Sequence, residues 1–259
     1  GMESDYEYAS AVFGEELEDP AAVGRRAGER AVKRLGAKKP PTKRLPVVYD
    51  PRVSNSMLRH LAGAISGPAI ARGTSFLKDR MNEQVFAEGV TIVDDPHRPH
   101  GLASKPFDGE GLANRRLNIV DGGRLTTWVL DLSSARQLGL TSTGHAARGT
   151  SSPPSPSTSN LYMAAGALSP AELMADIEDG FYVTGMMGMG INGVTGDYSR
   201  GASGFRIEKG ELTTPISEAT VAGNLKDMFR NITPANDLVF RYATNAPTLR
   251  IEGMTLAGN

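Results

Sequence analysis

The spacing of apolar residues changes character once along this chain, near Gly89, and that change limits the folds open to it. Before it, apolar residues recur at helical intervals: Val23, Ala27, Ala31 and Leu35, then Met57, Leu58, Leu61, Ala62 and Ile65. After it they alternate as in half-buried strands, in the runs Val90 and Ile92, Leu117 and Ile119, and Leu125, Thr127 and Val129. Asp121-Gly122-Gly123 and Lys209-Gly210 stand between such runs, and glycine supplies the positive φ that a tight hairpin needs. Strands grouped apart from helices, without regular alternation of the two, argue against a doubly wound parallel sheet. The expected class is α+β: a mainly antiparallel, barrel-like C-terminal domain with a few helices, preceded by a helical segment.

Local signals place the elements. Asp19 is a good N-cap, Pro20 suits the first helical position and Gly36 can close the end, which predicts a helix over 20–35. Residues 38–42, with Pro40-Pro41, read as a linker into a short strand over 45–49, so a helical unit of residues 1–42 precedes a larger domain, 43–259. Ser54 or Asn55 can cap the next helix, ended by Gly67-Pro68. Ser169-Pro170-Ala171-Glu172 forms a capping box for a helix running to Gly180, and another helix covers 224–231. Strands are expected at 238–242, 248–251 and 254–256. The segment 141–160 holds 15 Ser, Thr, Pro or Gly among 20 positions and reads as a long loop, while 185–204 carries seven glycines.

Charge narrows the function. With 28 basic and 29 acidic residues there is no overall field to hold a polyanion. The first stretch is nevertheless polarised: seven acids and no base lie in 3–19, and nine bases with one acid, Glu29, in 25–44. Acids at the start of the 20–35 helix and Lys33 with Arg34 at its end complement the helix dipole, so helix stabilisation and solvated faces account for this pattern better than nucleic-acid binding. Absence of cysteine removes disulfides, thiol nucleophiles and cysteine-ligated metals, and fits a reducing compartment. No apolar run approaches the roughly 18 residues of a membrane span, and the acidic start is unlike a signal peptide. The cytoplasm is the expected location.

Short motifs carry little. Gly188-Met189-Gly190-Ile191-Asn192-Gly193 matches G-x-G-x-x-G, but Val194 to Arg200 does not read as the helix that a pyrophosphate cradle needs, so a glycine-rich sheet edge or loop is expected. Asp94-Asp95-Pro96-His97-Arg98-Pro99-His100 gathers potential metal ligands in what its prolines mark as a surface turn. His60 lacks an H-E-x-x-H context, and His145 stands alone in the polar loop. Ser75-Phe76-Leu77-Lys78 is an S-x-x-K match of the kind that chance often supplies. Glu15 and Glu16 are adjacent and point to different helix faces, a poor acid–base couple.

Longer strings are more specific. Arg72-Gly73-Thr74-Ser75, Val93-Asp94-Asp95, Gly193-Val194-Thr195-Gly196-Asp197-Tyr198-Ser199-Arg200-Gly201, and Gly223-Asn224-Leu225-Lys226-Asp227-Met228-Phe229-Arg230-Asn231-Ile232 together resemble the TldD/PmbA family. The last two look like its PmbA (TldE) branch, once called a modulator of DNA gyrase, and the chain resembles the C-terminal portion of such a protein, without its N-terminal domain. TldD-type subunits carry an H-E-x-x-x-H helix and a further cysteine ligand; PmbA-type subunits lack them. Counting back from Arg72 sets Leu58, Arg59 and Gly63 at the three helix positions, and none can replace a ligand or a general base; using His60 instead puts Leu61 and Ile65 there.

The resemblance thus implies a non-catalytic, metal-free subunit of a peptidase complex, with zinc only in a TldD-like partner and unfolded or modified peptides as substrate. It also allows a homodimer. Exposed strand edges could hold an extended peptide, with Arg72, Thr74, Asp197, Tyr198, Ser199 and Arg200 as candidate contacts; alternatively Asp197 and Arg200 pair to fix a turn. The other readings are a nucleic-acid or gyrase-associated binding module and a self-sufficient hydrolase using Ser75 with Lys78 or the 94–100 cluster.

Overall fold

The computed structural model describes residues 1–258. Helix α1 (Pro20–Lys33) precedes strand β1 (Lys43–Tyr49), followed by helices α2 (Pro51–Ala64) and α3 (Gly67–Ala71). Then come strands β2 (Ile92–Asp94), β3 (Leu117–Asp121) and β4 (Arg124–Leu125), helix α4 (Leu132–Leu138), and strands β5 (Ala146–Ala147), β6 (Ser155–Pro156) and β7 (Leu161–Met163). Helix α5 (Pro170–Met174) leads into the long strands β8 (Asp179–Ile191), β9 (Asp197–Glu208) and β10 (Glu211–Asn224). Helix α6 (Leu225–Arg230) and strands β11 (Ile232–Pro234), β12 (Thr244–Asn245) and β13 (Leu249–Ala257) complete the order.

Strands β1, β8, β9, β10 and β13 pair in that order, and β13 pairs back onto β1, closing a five-stranded barrel with β11 added outside on β13. Only the β1–β8 pairing in this sheet is parallel. A second sheet runs β12-β7-β2-β3-β4. The expected α+β class with a barrel-like, mainly antiparallel domain is what the chain forms.

Alternation along the strands builds the core. Val47 and Tyr49 of β1, Phe181 and Val183 of β8, Tyr198 and Ala202 of β9, and Ile251 and Met254 of β13 belong to one apolar cluster. Helix α2 contributes Met57, Leu58 and Leu61 to it, and Ile65 follows at its C-cap, all fully buried; the helix contacts β8 as well as β7 and β12, so it ties the barrel to the second sheet. Val48 points the other way, into a small cluster with Met174, Ile177 and Ile207 that covers the outside of the barrel. That is why β1 ends in three consecutive buried residues rather than alternating.

Both hairpin turns are as the sequence predicts: Gly122 and Gly123 have φ of 54° and 90°, and Lys209 and Gly210 have 52° and 81°, matching the twist of the flanking strands. The caps partly differ. Asp19 caps α1 through Ala21 and Ala22 N–H groups at 3.2 Å, and Ser169 with Glu172 forms the capping box of α5. Helix α2, however, begins at Pro51 with Asp50 as its cap, one turn earlier than Ser54 or Asn55 would set it; both of those are buried within the helix. Helix α5 stops at Met174, because Ile177 turns inward against Val48 and β8 has started by Asp179. Residues 238–242 are irregular rather than a strand, and the two final predicted strands are one, bent at Gly253 with φ of 71°. Among the described residues no helix is long and apolar enough to cross a membrane.

Candidate functional site

Helix α2 is amphipathic, and its two faces have different tasks. Met57, Leu58, Leu61 and Ile65 enter the core, whereas Arg52 and Arg59 line a cleft of about 560 Å³ between the helix and strands β8 and β9. Arg200 closes the cleft from β9, on the same strand face as buried Tyr198, and Arg34 of the segment after α1 enters from the side. Four guanidiniums therefore converge. Arg34 lies 3.5 Å from Glu3 and 3.7 Å from Asp5, and Arg52 lies 3.0 Å from Asp5 and 3.1 Å from Asp50.

Among the described residues the other two pair with no carboxylate. Arg59 donates to the neutral Asn55 Oδ1 at 3.0 Å, and the buried Arg200 Nε has no hydrogen-bond partner among the described residues. His60 Nε2 is buried and unpartnered as well, its ring packed edge-on against Tyr198 with centroids 5.9 Å apart. Burial, then the charges of Arg200 and Arg59, push the His60 pKa down to about 4, so the ring is neutral at pH 7. Burial raises the Tyr198 hydroxyl to about 12.

The group implied by a zinc-peptidase relationship does not fit here. Zinc needs several thiolate, imidazole or carboxylate donors, and a cation is repelled by guanidiniums. Leu58 is in the core, Arg59 is a fixed cation, Gly63 faces open space and His60 is the lone imidazole. Among the described residues no three His, Cys, Asp or Glu side chains converge to hold an ion.

One wall of the cleft is a strand edge. Strand β1 pairs with β8 only at residues 181–183, so residues 184–191 of β8 carry a partner, β9, on one side alone. Residues 211–219 of β10 form a second such run, paired with β9 and met by Lys38 at Ile216, but they do not line the cleft. The glycines of this run let β8 and β9 approach at a bulge: a Cβ on Gly190 would lie 2.0 Å from the Ser199 carbonyl oxygen. The G-x-G-x-x-G match thus belongs to a hairpin with no helix behind it.

The six candidate contacts fall in separate places. Arg200 lines the cleft, and Tyr198 stands behind it with 2% of its surface exposed. Asp197 and Ser199 point to the opposite, exposed side of β9. Asp197 accepts hydrogen bonds from Thr195 Oγ1 at 2.6 Å and Asn224 Nδ2 at 3.0 Å; it fixes a turn with these two and not with Arg200. Arg72 and Thr74 are exposed on the loop after α3, which meets the same hairpin tip through the Phe76 N–H to Gly193 O bond of 2.9 Å.

The remaining candidates are structural. Ser75 is buried, donates to Ala64 O at 2.6 Å and accepts from Leu77 N–H, capping chain ends rather than facing Lys78. The 94–100 ligands disperse: Asp95 accepts from the His97 N–H, His97 bonds Asn114, and His100 pairs with Glu16. His145 is not alone but buried, 3.2 Å from the Asp94 carboxylate. Two of the four bases of α1 are occupied: Arg26 pairs with Glu18 and Glu7, and Arg30 with Glu7 at 2.6 Å. Sequence reasoning missed Arg34 and Arg52, whose signal was the alternation Glu3, Asp5, Glu7 of the opposing segment.

Residues 42–258 match the PmbA/TldA metallopeptidase C-terminal domain. The chain is 40% identical over 258 residues to a metalloprotease PmbA of Escherichia coli O157:H7, covering 99% of this chain and 55% of that protein. It is 34% identical over 219 residues to a metalloprotease of Methanothermobacter thermautotrophicus, covering 84% of this chain and 48% of the relative. Its fold matches a crystal structure from Bacteroides thetaiotaomicron, described as a candidate modulator of DNA gyrase, with a TM-score of 0.88 and 32% identity over 98% of this chain and 55% of that one. TldE of Thermococcus kodakarensis shares the fold at a TM-score of 0.82 and 22% identity, over 92% of this chain and 55% of that one. The chain therefore spans about half the length of the relatives it matches.

Proposed function

The chain belongs to the PmbA/TldD metallopeptidase family, and from that premise we propose that it is the non-catalytic, TldE-type half of a peptidase whose zinc chemistry comes from a TldD-like subunit. The observation that carries this reading is the cleft at α2, where four arginines stand in place of a donor set for a cation. Such a surface is suited to holding an unfolded peptide: residues 184–191 of β8 offer unpaired backbone groups, and strand addition makes few demands on sequence. Met186 and Met187 beside them supply adaptable apolar contact. Arg200 is the peptide contact nearest this edge, and the cytoplasm is the location that suits a cysteine-free chain.

The test is reconstitution. Mixed with an H-E-x-x-x-H-bearing family subunit, the protein should co-elute as a heteromer rather than a homodimer, and an unstructured peptide should be cleaved by the mixture faster than by either component. Cleavage by this chain alone, or no association at micromolar concentration, would overturn the reading.

A further inference from the structure

We propose that the cleft recognises a peptide carboxylate, held between Arg59 and Arg200 while the peptide lies extended along the open edge of β8. The inference rests on the peptide-holding reading above and adds the class of peptide: acidic, with a carboxylate every second residue or at its C-terminus.

Charge bookkeeping on the cleft is the first argument. Four guanidiniums repel one another, and the protein neutralises two of them, Arg34 and Arg52, with its own Glu3, Asp5 and Asp50. Among the described residues Arg59 is left with a neutral amide, and the buried Arg200 Nε with no acceptor. A buried guanidinium N–H without an acceptor is destabilising, and native structures rarely retain one without a use. Two planar, always charged donors facing a cavity match a planar anion that accepts several hydrogen bonds, which a carboxylate does. His60 supports this. Packed on Tyr198 as a neutral ring, it places no further positive charge beside the two arginines.

The second argument is that the protein already binds such a chain, its own. Residues 3–11 alternate between partly buried and exposed positions, as an extended segment does. Every inward-facing position from Glu3 to Glu7 is acidic, and these side chains are 21%, 5% and 2% exposed for Glu3, Asp5 and Glu7. Each meets arginine: Glu3 and Asp5 meet Arg34, Asp5 also meets Arg52, and Glu7 meets Arg26 and Arg30. The segment enters the cleft at Ser4, Asp5 and Tyr6, so the same wall that reads these carboxylates continues to Arg59 and Arg200. A second extended chain on the β8 edge meets the free arginines in the way the first meets the paired ones.

The probes are fluorescein-labelled twelve-residue peptides of alternating Ala and Glu, or Ala and Gln, each with a free or an amidated C-terminus, read by anisotropy at low salt. The Glu peptide is expected to bind at least tenfold more tightly than the Gln peptide. Arg59→Gln, on an exposed position that the fold does not need, and Arg200→Gln should each remove that preference while leaving the Gln peptide within twofold. A preference that follows the free C-terminus instead of Glu supports the carboxylate site and identifies the terminal group as its ligand. Equal binding of Glu, Gln, free and amidated peptides overturns the proposal, as does a preference that survives both substitutions. A single-stranded oligonucleotide of equal charge that binds more tightly, through the same two arginines, overturns the ligand class. With the metal-bearing subunit present, equal cleavage of Glu and Gln peptides defeats this inference alone; no binding and no cleavage of either defeats the peptide reading itself.

Discussion

Asp94 and Arg200 are both charged side chains drawn into the protein, and their surroundings are opposite. Asp94 has no exposed surface, and its oxygens accept from Ser159 N–H at 2.7 Å, Ser159 Oγ at 2.6 Å and His145 Nε2 at 3.2 Å. The other His145 nitrogen lies 2.9 Å from Thr143 Oγ1. This cluster is complete and fastens the long 141–160 loop to β2. Around Arg200 the polar groups are not all satisfied: among the described residues its own Nε and the His60 Nε2 are buried without partners, and Arg59 nearby has only an amide. A saturated polar cluster holds a fold together, while one with donors to spare awaits something from outside.

The largest effect that could break this contrast is at Asp94. Asp94→Ala strands three donors in a dry interior and is expected to cost about 3–5 kcal/mol, lowering Tm by roughly 10 °C, with peptide preference unchanged in the folded fraction. Thermal melts and anisotropy on the same sample check it. Next is pH. His60 takes a proton near pH 4 in the folded protein but near its ordinary 6.5 when unfolded, so the unfolded state binds more protons between these values. Stability should fall by about 2 kcal/mol as pH drops from 6.5 to 4.5, and His60→Phe should flatten that slope in urea titrations. Asp5→Asn takes the charge from between Arg34 and Arg52, whose side chains keep 20% and 15% exposure; a loss of about 1 kcal/mol that shrinks with added salt is expected. Smallest is Arg200→Gln, expected to change stability by less than about 0.5 kcal/mol, since it removes no satisfied hydrogen bond. A loss as large as that at Asp94 would erase the distinction between the two clusters.

Local grammar was readable from the residues wherever a single turn or cap decided the structure. Gly122-Gly123, Lys209-Gly210, Asp19 and Ser169 act within four residues of themselves, and each does what its type predicts. Family membership was readable from the strings 193–201 and 223–232, which occupy the β8–β9 turn with the start of β9, and the end of β10 through α6 into β11. What stayed hidden depends on distant partners. Nothing near His145 announces Asp94, 51 residues away, and nothing near Arg200 tells that Tyr198 and Arg200 face inward while Asp197 and Ser199 face out. Strand alternation alone would have separated these two pairs, but only barrel closure says which face is inside. Asp50 is the cap because β1 stops at Tyr49 and Pro51 takes the first helical position, a local signal that Ser54 and Asn55, one turn further on, obscure.

Barrel closure also sets a timetable. The seam is formed by β1 and β13, paired from Lys43 with Leu256 to Tyr49 with Leu249, so the first and last strands of the barrel are neighbours. All of β13 must therefore be synthesised before the seam can zip, and until then β1 and β10 both wait with unpaired backbone. Deleting β13 would leave the barrel unsealed, its open strand edges a target for chaperones.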